Sequence, residues 1–468
     1  MGTISAALSL ITGALEADQS ALDVVSNNVA NASNATYTRQ VPNWSENQPV
    51  YVSGTLVGTG VTVTGGVSQR DRVLNQRLQQ QQQASSAATS LLGALTTLGS
   101  SFTLASTSAT TGGNIGTDIT SFFDSYTQME SNPSSNSLRQ QVLSSATILA
   151  GDISAAATNV IEQRASLDQS VGTVASQVNT LTASIAAVNR QIQSLSPGTD
   201  AGSLEDQRQS ALAQLSKLIG VNQIDTENNG LSLTTPGGQL LVSEGASIAI
   251  SSGVVNGVTH MFAGGNDITS DLTSGGGQLG GLLTARDQRL PTVLSALDEL
   301  AYGISTQVNT VNNAGTDLAG DNGNAGNVFN APPQVSGSAM AMSVVMTDPN
   351  HIAAAALNGG VGDNSNAVAA AALATQSIVA GLTPSNFYSN MISTIGSEMN
   401  ETTIQSTALT ASVSQLQSQV NSLSAVSLND EASAMQEFQR SYQAASKVFT
   451  ILDTLMASAI NLGVQTAA

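Results

Sequence analysis

Few residues in this chain could carry chemistry. It has two histidines, His260 and His351, and no cysteine. The absence of cysteine excludes disulfides, thiol nucleophiles and cysteine-based metal sites. A histidine that acts in catalysis or binds a metal needs a convergent set of partners, and these two lie far apart in the sequence. We therefore interpret both as surface or loop residues, and the sequence predicts no enzyme activity and no cofactor.

Two other patterns superficially resemble ligand-binding loops. Asp317, Asp321, Asn322 and Asn324 could suggest a calcium loop, but their spacing misses the EF-hand pattern of oxygen ligands. Glycines at 275–277 and 280–281 could suggest a phosphate-binding loop, but no Lys-Ser or Lys-Thr follows and the Rossmann spacing is absent. We interpret the first as a turn and the second as a flexible return into a helix, so the sequence predicts no catalytic, cofactor-binding or metal-binding residue.

Composition excludes two further classes of function. The 468 residues include 13 basic and 32 acidic side chains, a net charge of −19. Such a surface repels a phosphate backbone, so we expect no nucleic-acid partner. No stretch approaches the 18 or so consecutive apolar residues of a membrane span, so we expect no membrane partner. The N-terminal segment lacks the pattern of a cleaved signal peptide, so a secreted chain would need another export route.

Both ends of the chain show apolar residues at alternating spacings of three and four. Such a heptad pattern is typical of a coiled-coil seam, and at the N-terminal end it is interrupted by Asp18. We expect these residues to form an assembly seam: Leu8, Ile11, Leu15, Leu22, Val25, Phe438, Tyr442, Phe449 and Leu452. Similar runs at 167–195, 290–311 and 409–423 predict long internal helices, and a Gln-rich stretch predicts another near 70–98.

The middle of the chain has a different pattern. Residues 221–281 are rich in Gly, Ser, Thr and β-branched side chains, and they contain Asn229-Gly230 and Asn256-Gly257. Asn-Gly favours tight hairpin turns, because both turn positions require a positive φ. We expect a mainly α fold with an inserted β-rich domain.

The predicted elements form a nested layout with both termini at one pole. Residues 1–35 and 428–468 are the terminal helices, and 36–72 form a connector that contains a hairpin. The helical body spans 73–220 and 282–427, with a loop and helix insertion near 312–384. Residues 221–281 form the β-rich outer domain.

A short polar motif after the first helix resembles a known family. Residues 26–31 read Ser-Asn-Asn-Val-Ala-Asn and residues 37–40 read Tyr-Thr-Arg-Gln. This is similar to the signature that follows the first helix in the flagellar axial proteins, which comprise rod, hook and hook-associated proteins and flagellin. Thr36 stands where that family usually has glycine. The motif residues are Asn27, Asn28, Asn31, Tyr37, Arg39 and Gln40.

Five more segments resemble the hook-associated branch of that family: 427–431, 438–447, 276–283, 343–353 and 362–367. The resemblance implies a structural subunit, extracellular and in the flagellum, that forms a ring between hook and filament by packing of its terminal helices. It implies contacts with copies of itself, with the hook protein and with a second junction protein next to the filament. It also implies an export chaperone for the C-terminal helix and export by the flagellar type III route without a cleaved signal peptide.

The sequence leaves two alternatives open. The chain could be another axial component, namely hook protein, the second junction protein or flagellin. Phe438, residues 362–367 and the Arg39-Gln40 pair argue against these. It could also be a secreted coiled-coil adhesin or effector, although such a protein would not require both terminal signatures.

Overall fold

The computed structural model of the chain describes residues 2–34, 36–52, 55–102, 115–195, 201–226, 229–255 and 257–465. It confirms the predicted mainly helical fold with small antiparallel sheets inserted. The predicted turn residue Asn256 lies outside the described residues. None of the described helices is both long and apolar enough to cross a lipid bilayer.

The two ends of the chain form an antiparallel helix pair with a hairpin beside it. Helix α1 (Gly2–Ala30) packs along α12 (Leu428–Gln465), and we call these two helices the terminal pair. The connector strands pack against α1: β1 (Gln40–Glu46) pairs with β4 (Val61–Ser68), and the tip of this hairpin carries β2 (Val50–Val52) and β3 (Thr55–Val57).

The helical body is organised around one very long helix. Helix α4 (Asn136–Gln193) has 58 residues, so at 1.5 Å per residue it is about 87 Å long. Ser135 caps its first turn by accepting a hydrogen bond from the Leu138 amide. The other body helices are α2 (Arg72–Ser101), α3 (Ile115–Glu130), α5 (Gly202–Leu218), α8 (Leu290–Ala314) and α11 (Pro384–Ser424).

The β-rich segment forms two small antiparallel sheets against α4. The first sheet contains β5 (Asn222–Asp225), β6 (Leu231–Thr234), β7 (Leu240–Ser243) and β8 (Ala246–Ser247). The second contains β9 (Ile250–Val255), β10 (Val258–Ala263) and β11 (Asn266–Asp267). Buried strand residues such as Leu233 and Met261 belong to the same continuous apolar cluster as Leu149 and Ile185 of α4. The sheets therefore share a core with the helical body.

The segment that leads from the sheets back into the helical body requires glycine at two positions where its backbone lies very close to a neighbouring backbone. Helices α6 (Thr269–Gly275) and α7 (Gly277–Thr284) lead through a π-helical segment (Ala285–Arg289) into α8. A Cβ atom on Gly277 would lie 2.4 Å from the Ile219 amide nitrogen, and one on Gly281 would lie 2.2 Å from the Ala87 carbonyl oxygen. No side chain fits at either distance, so these glycines set the packing of α7.

The insertion after α8 is held by asparagine side chains of that helix. The Asn309 amide donates to the Phe329 carbonyl (2.9 Å) and accepts from the Phe329 amide (3.0 Å). Asn312 donates to the Gly326 carbonyl (2.8 Å) and accepts from the Ala353 amide (2.9 Å). The insertion contains α9 (Ser338–Ala341), a 3-10 turn (Pro349–His351) and α10 (Ser365–Ala372).

Candidate assembly site at the terminal helices

The seam residues predicted for the C-terminal helix lie on the face of α12 that packs against α1. Their heptad continues along the helix as a half-buried row, which we call the inner seam: Met435, Phe438, Ala445, Phe449, Leu452, Met456 and Ala459. Tyr442, which belongs to the same heptad, is 37% exposed. Among the described side chains of α12 up to residue 460, only Glu431 is fully buried. Contact with α1 thus covers the inner seam only in part.

The seam residues predicted for α1 show a similar partial burial. Val25 is buried, at 2% exposure, whereas Leu8, Ile11, Leu15 and Leu22 are half-buried. Asp18, which interrupts the apolar pattern, is only 9% exposed, and its Oδ2 atom has no hydrogen-bond partner. A buried polar side chain at a core position of a helix pair lowers stability but can fix the register of the pair.

The family motif forms a polar joint at the point where α1, the connector and α12 meet. The Asn28 amide group donates to the Gln40 carbonyl (2.8 Å) and to Glu431 Oε2 (3.0 Å). Its Oδ1 atom accepts from the Tyr37 hydroxyl (2.8 Å) and from the Gln40 amide (3.0 Å). Asn28 is 1% exposed and uses all four of its hydrogen-bonding positions. We call Asn28, Tyr37, Arg39, Gln40 and Glu431 the terminal joint.

A buried ion pair completes the terminal joint. Arg39 Nε lies 2.6 Å from Glu431 Oε1, and the Glu431 side chain is 1% exposed against 28% for Arg39. The Arg39 backbone amide also donates to the Ser424 carbonyl at the end of α11. A buried carboxylate needs a charged or hydrogen-bonding partner, so Arg39 and Asn28 together make the burial of Glu431 possible. The joint therefore fixes where α12 starts relative to α1.

The remaining motif residues support the turn between α1 and the connector. The Asn31 side-chain amide donates to the backbone carbonyl of Asn27 (2.9 Å) and to the side-chain oxygen of Asn27 (2.8 Å). These two bonds close the last turn of α1. Thr36, which replaces the usual glycine, donates from its hydroxyl to Asn34 Oδ1 (2.9 Å). Burial, followed by the nearby charges of Asp206 and Glu431, raises the pKa of Tyr37 to about 12. Tyr37 is therefore a neutral hydrogen-bond donor across the physiological pH range.

A second network connects the connector to the helical body. Arg70 contacts Glu205 (Nη1 to Oε2, 3.0 Å) and Asp206 of α5, and it donates to the Thr38 hydroxyl (3.2 Å). The Thr38 backbone amide donates to Asp206 Oδ2 (3.2 Å). The side chains of Arg70, Glu205 and Asp206 are about nine-tenths buried. This network holds the connector, and with it the joint, against α5.

The hairpin also contacts α12 directly. The Trp44 ring of β1 packs edge-on against Phe438, with 6.1 Å between ring centroids and an interplanar angle of 87°. Edge-to-face aromatic pairs contribute about 0.5–1.5 kcal/mol beyond the burial of their area. The Phe438 ring is thus partly covered by a residue of its own chain.

The sequence reasoning missed a second apolar row on α12. Val448 (42% exposed), Ile451 (59%) and Leu455 (53%) follow the same spacing of three and four, one residue before the inner seam. We call these three residues the outer row. Their heptad spacing was the signal that could have revealed them, because a helix with two adjacent apolar rows has more apolar surface than one partner helix covers.

Away from the terminal pair, the described residues contain one cluster with the side-chain types of a metal site. His351 Nδ1 lies 2.7 Å from Asp317 Oδ2 and 3.3 Å from Asp321 Oδ2, so the structure brings together residues far apart in sequence. The hydrogen bond with Asp317, whose side chain is fully buried, is the main cause that raises the pKa of His351. The positive charge of Arg139 also acts on Asp317. When His351 is protonated, the cluster is an ion pair that joins the 3-10 turn to the segment that follows α8.

Three family profiles match separate parts of the chain. A profile described as "Flagellar hook-associated protein FlgK helical domain" matches residues 103–329. One described as "Flagellar basal body rod FlgEFG protein C-terminal" matches residues 417–462, and one described as "Flagella basal body rod protein" matches residues 11–37. The two shorter matches cover most of the terminal pair and the motif up to Tyr37.

Whole-chain relatives agree with these profiles. Flagellar hook-associated protein 1 of Escherichia coli strain K12 is 24% identical, over 96% of this chain and 98% of that protein. Flagellar hook-associated protein 1 of Bacillus subtilis strain 168 is also 24% identical, over 96% of both chains. The solved structure of the flagellar hook junction protein FlgK from Burkholderia pseudomallei superposes with a TM-score of 0.65 at 18% identity. It covers 74% of this chain and 99% of that one, which supports the fold.

Proposed function

The chain belongs to the flagellar axial proteins, where its matches are to hook-associated protein 1, and on that premise we propose that it builds the junction between hook and filament through its terminal pair. It is a structural component of the flagellum. We propose further that its copies form a ring, with hook protein on one side and a second junction protein on the filament side.

The observation that supports this proposal is the incomplete burial of the terminal pair. Its inner seam is half-buried, and the outer row remains 42–59% exposed. Burial of a valine, leucine or isoleucine contributes about 1.5–3 kcal/mol before entropic costs. The exposed rows therefore provide a strong driving force for association once other copies surround them, while the terminal joint holds the pair in a fixed position on the body.

We also propose that the protein has no enzymatic role. The described polar clusters serve to connect elements: the terminal joint, the Arg70 network and the His351 ion pair each join segments that are distant in sequence. For export we propose the flagellar type III route, with a chaperone that covers the C-terminal helix before assembly. The exposed outer row is the part of that helix which most needs cover.

Localisation together with one matched pair of variants tests the proposal. We expect gold-labelled antibodies to mark the boundary between hook and filament on isolated hook–filament structures. Ile451→Glu, in the outer row, should be exported but should fail to incorporate. The control Ile404→Glu, at a position of α11 that is 63% exposed, should incorporate normally. Labelling along the cell surface instead of the junction would favour an adhesin, and incorporation of both variants would exclude the terminal pair as the assembly contact.

A further inference from the structure

We propose that Asp317, Asp321 and His351 bind a divalent transition-metal ion of the zinc type, with water completing its coordination. The two aspartates lie in the segment that follows α8, and the histidine ends the 3-10 turn of the insertion. We call these three side chains the cation site. The inference goes beyond the proposed function, because it concerns the helical body of a single chain and not its assembly.

The three ligand atoms of the cation site lie close to the spacing that one small cation requires. His351 Nδ1 is 2.7 Å from Asp317 Oδ2 and 3.3 Å from Asp321 Oδ2, and all three atoms lie within 4.8 Å of one another. Zinc ligands lie about 2.0–2.2 Å from the ion, so neighbouring ligand atoms in a tetrahedral site are about 3.3–3.6 Å apart. The Asp321 side chain is 52% exposed, so it can rotate inward and close the triangle. The ion would take the place of the proton that His351 and Asp317 otherwise share.

Backbone hydrogen bonds join the two segments that carry the ligands. The Leu318 amide donates to the Asn350 carbonyl (3.0 Å), which ties the segment after α8 to the 3-10 turn. The Asp321 amide donates to Asp317 Oδ1 (2.8 Å), which leaves Asp317 Oδ2 directed toward the histidine. Contacts of this kind orient the ligands in metal sites. The cation site is therefore held in position by the fold itself.

The charge around the cation site matches a divalent cation. Asp317, Asp321 and Asp348 all act electrostatically on His351, and the guanidinium group of Arg139 acts on Asp317. With a neutral imidazole, these three carboxylates and one guanidinium leave two negative charges uncompensated. The Asp317 side chain is fully buried, and a buried carboxylate needs a positive partner. A divalent cation would supply that partner and neutralise the site.

The types of ligand select among the divalent cations. Ca²⁺ takes six to eight oxygen ligands, and Mg²⁺ prefers oxygen ligands in a near-ideal octahedron and keeps several waters. Imidazole nitrogen suits Zn²⁺, and three protein ligands with an open position for water are a common zinc arrangement. The side chains of His351 and Asp321 are 37% and 52% exposed, so an ion can enter from solvent and keep a water ligand. We therefore assign the site to zinc and not to calcium or magnesium.

The other histidine of the chain provides a matched control. His260 Nδ1 lies 2.6 Å from Asp267 Oδ2, and both side chains are partly exposed. Among the described residues, only the cation site brings three possible metal ligands together. His260 thus has the same pairing with one carboxylate but lacks a third ligand, so we expect it to contribute nothing to zinc binding.

Calorimetric titration of Zn²⁺ into the untagged full-length chain, first freed of metal with a chelator, tests the proposal. We expect one ion to bind per chain, and we expect no saturable binding of Mg²⁺ or Ca²⁺. His351→Gln should abolish zinc binding, whereas His260→Gln should leave it unchanged. Asp321→Asn keeps the shape of an exposed side chain and should weaken binding at least about tenfold, since the loss of an outer-shell partner alone costs that much. Circular dichroism checks that each variant is folded.

Nuclear magnetic resonance of the imidazole nitrogens in the natural chain identifies the ligand without any substitution. The chain has two histidines, so zinc should shift the Nδ1 resonance of His351 and leave that of His260 in place. Absence of zinc binding, retained binding by His351→Gln, or equal loss in both histidine variants would overturn the proposal. Equal affinity for Mg²⁺ would show a general acidic cluster and would overturn the assignment to zinc. None of these outcomes depends on whether the chain assembles at the junction.

Discussion

The helical body and the terminal pair are both built from long helices, but only the body completes its core. In the body, Phe122, Met129 and Leu149 are fully buried within one continuous apolar cluster that extends into the sheets. No described residue of α1 or α12 belongs to that cluster, and the seam between these helices is half-buried. From this difference we infer that the body completes its core within a single chain, whereas the terminal pair would reach the same degree of burial only against another surface.

The first prediction compares the stability lost when one phenylalanine of each region is replaced by alanine. Phe122→Ala removes a fully buried ring that contacts Phe123, Tyr126 and Phe329, with centroid distances of 5.0–5.5 Å. We expect a loss of about 3–5 kcal/mol in the free energy of unfolding of the monomer. Phe449→Ala in the half-buried seam should lose less than half of that. Denaturant titration of both variants measures the difference, and equal losses would show that the terminal pair is already complete in the monomer.

The second prediction concerns the joint between the two regions. Arg39→Ala leaves the buried Glu431 carboxylate without its charged partner, which typically costs about 3 kcal/mol. The cost should be local, so we expect α12 to be cleaved much earlier in limited proteolysis while the body remains intact. Arg72→Ala is the control, because that side chain is 60% exposed and only at the edge of the Arg70 network. Unchanged protection of α12 in Arg39→Ala would exclude a locking role for the joint.

The third prediction concerns a substitution that makes the buried face of α1 fully apolar, like the core of the body. Asp18 is buried and has an oxygen atom without a partner, so Asp18→Leu should stabilise the pair by about 1–2 kcal/mol. Hydrogen exchange of the α1 amides in the monomer would report slower opening. Because a lone polar core residue can fix register, we expect assembly by this variant to become less uniform, visible as junctions of irregular length. Faster exchange would mean that Asp18 has a partner which stabilises the pair.

The smallest expected effect lies in the body and depends on pH. The folded-state pKa of His351 is raised above its ordinary value, so the ion pair with Asp317 stabilises the fold fully below about pH 6.5. That contribution is lost as the pH rises through the raised folded-state pKa. We expect His351→Gln to lower stability by less than about 1 kcal/mol at pH 6 and by nearly nothing at pH 9. Stability curves of both proteins against pH measure this, and a constant difference would exclude the titration of His351 as its cause.

For the terminal helices, the sequence predicts which face of each helix is apolar. Phe438, Phe449 and Leu452 are half-buried on α12, as apolar periodicity indicates for the covered face of a helix, and their role as an assembly contact stays a prediction. The same pattern could not say how far that face is covered, nor by which chain. That information depends on three-dimensional packing, as with Trp44 against Phe438.

The polar contacts were not predictable in the same way. The motif identified Asn28 and Arg39 as important, but nothing in their local sequence points to Glu431 as the shared partner. The sequence predicts His351 as a surface or loop residue and Asp317 as part of a turn, and it does not predict their pairing, which depends on how the insertion folds. Likewise, the β-branched composition and the Asn-Gly dipeptides of residues 221–281 predict the sheets but cannot reveal that Leu233 and Leu149 share one core.

The sequence separation across the terminal joint has a consequence for the order of events in the life of the chain. Asn28 and Glu431 are 403 positions apart, so α1, although it contacts the connector strands, has no helix to pair with until nearly the whole polypeptide has been synthesised or has emerged from a channel. Contacts so distant in sequence slow folding, because the entropy of closing the long loop is lost before the contact stabilises the chain. A chain interrupted before residue 431 would keep most of the body but would never lock its two ends together. If the terminal pair is the assembly contact, as proposed, only molecules that have been made through to their last helix can present it in its locked form.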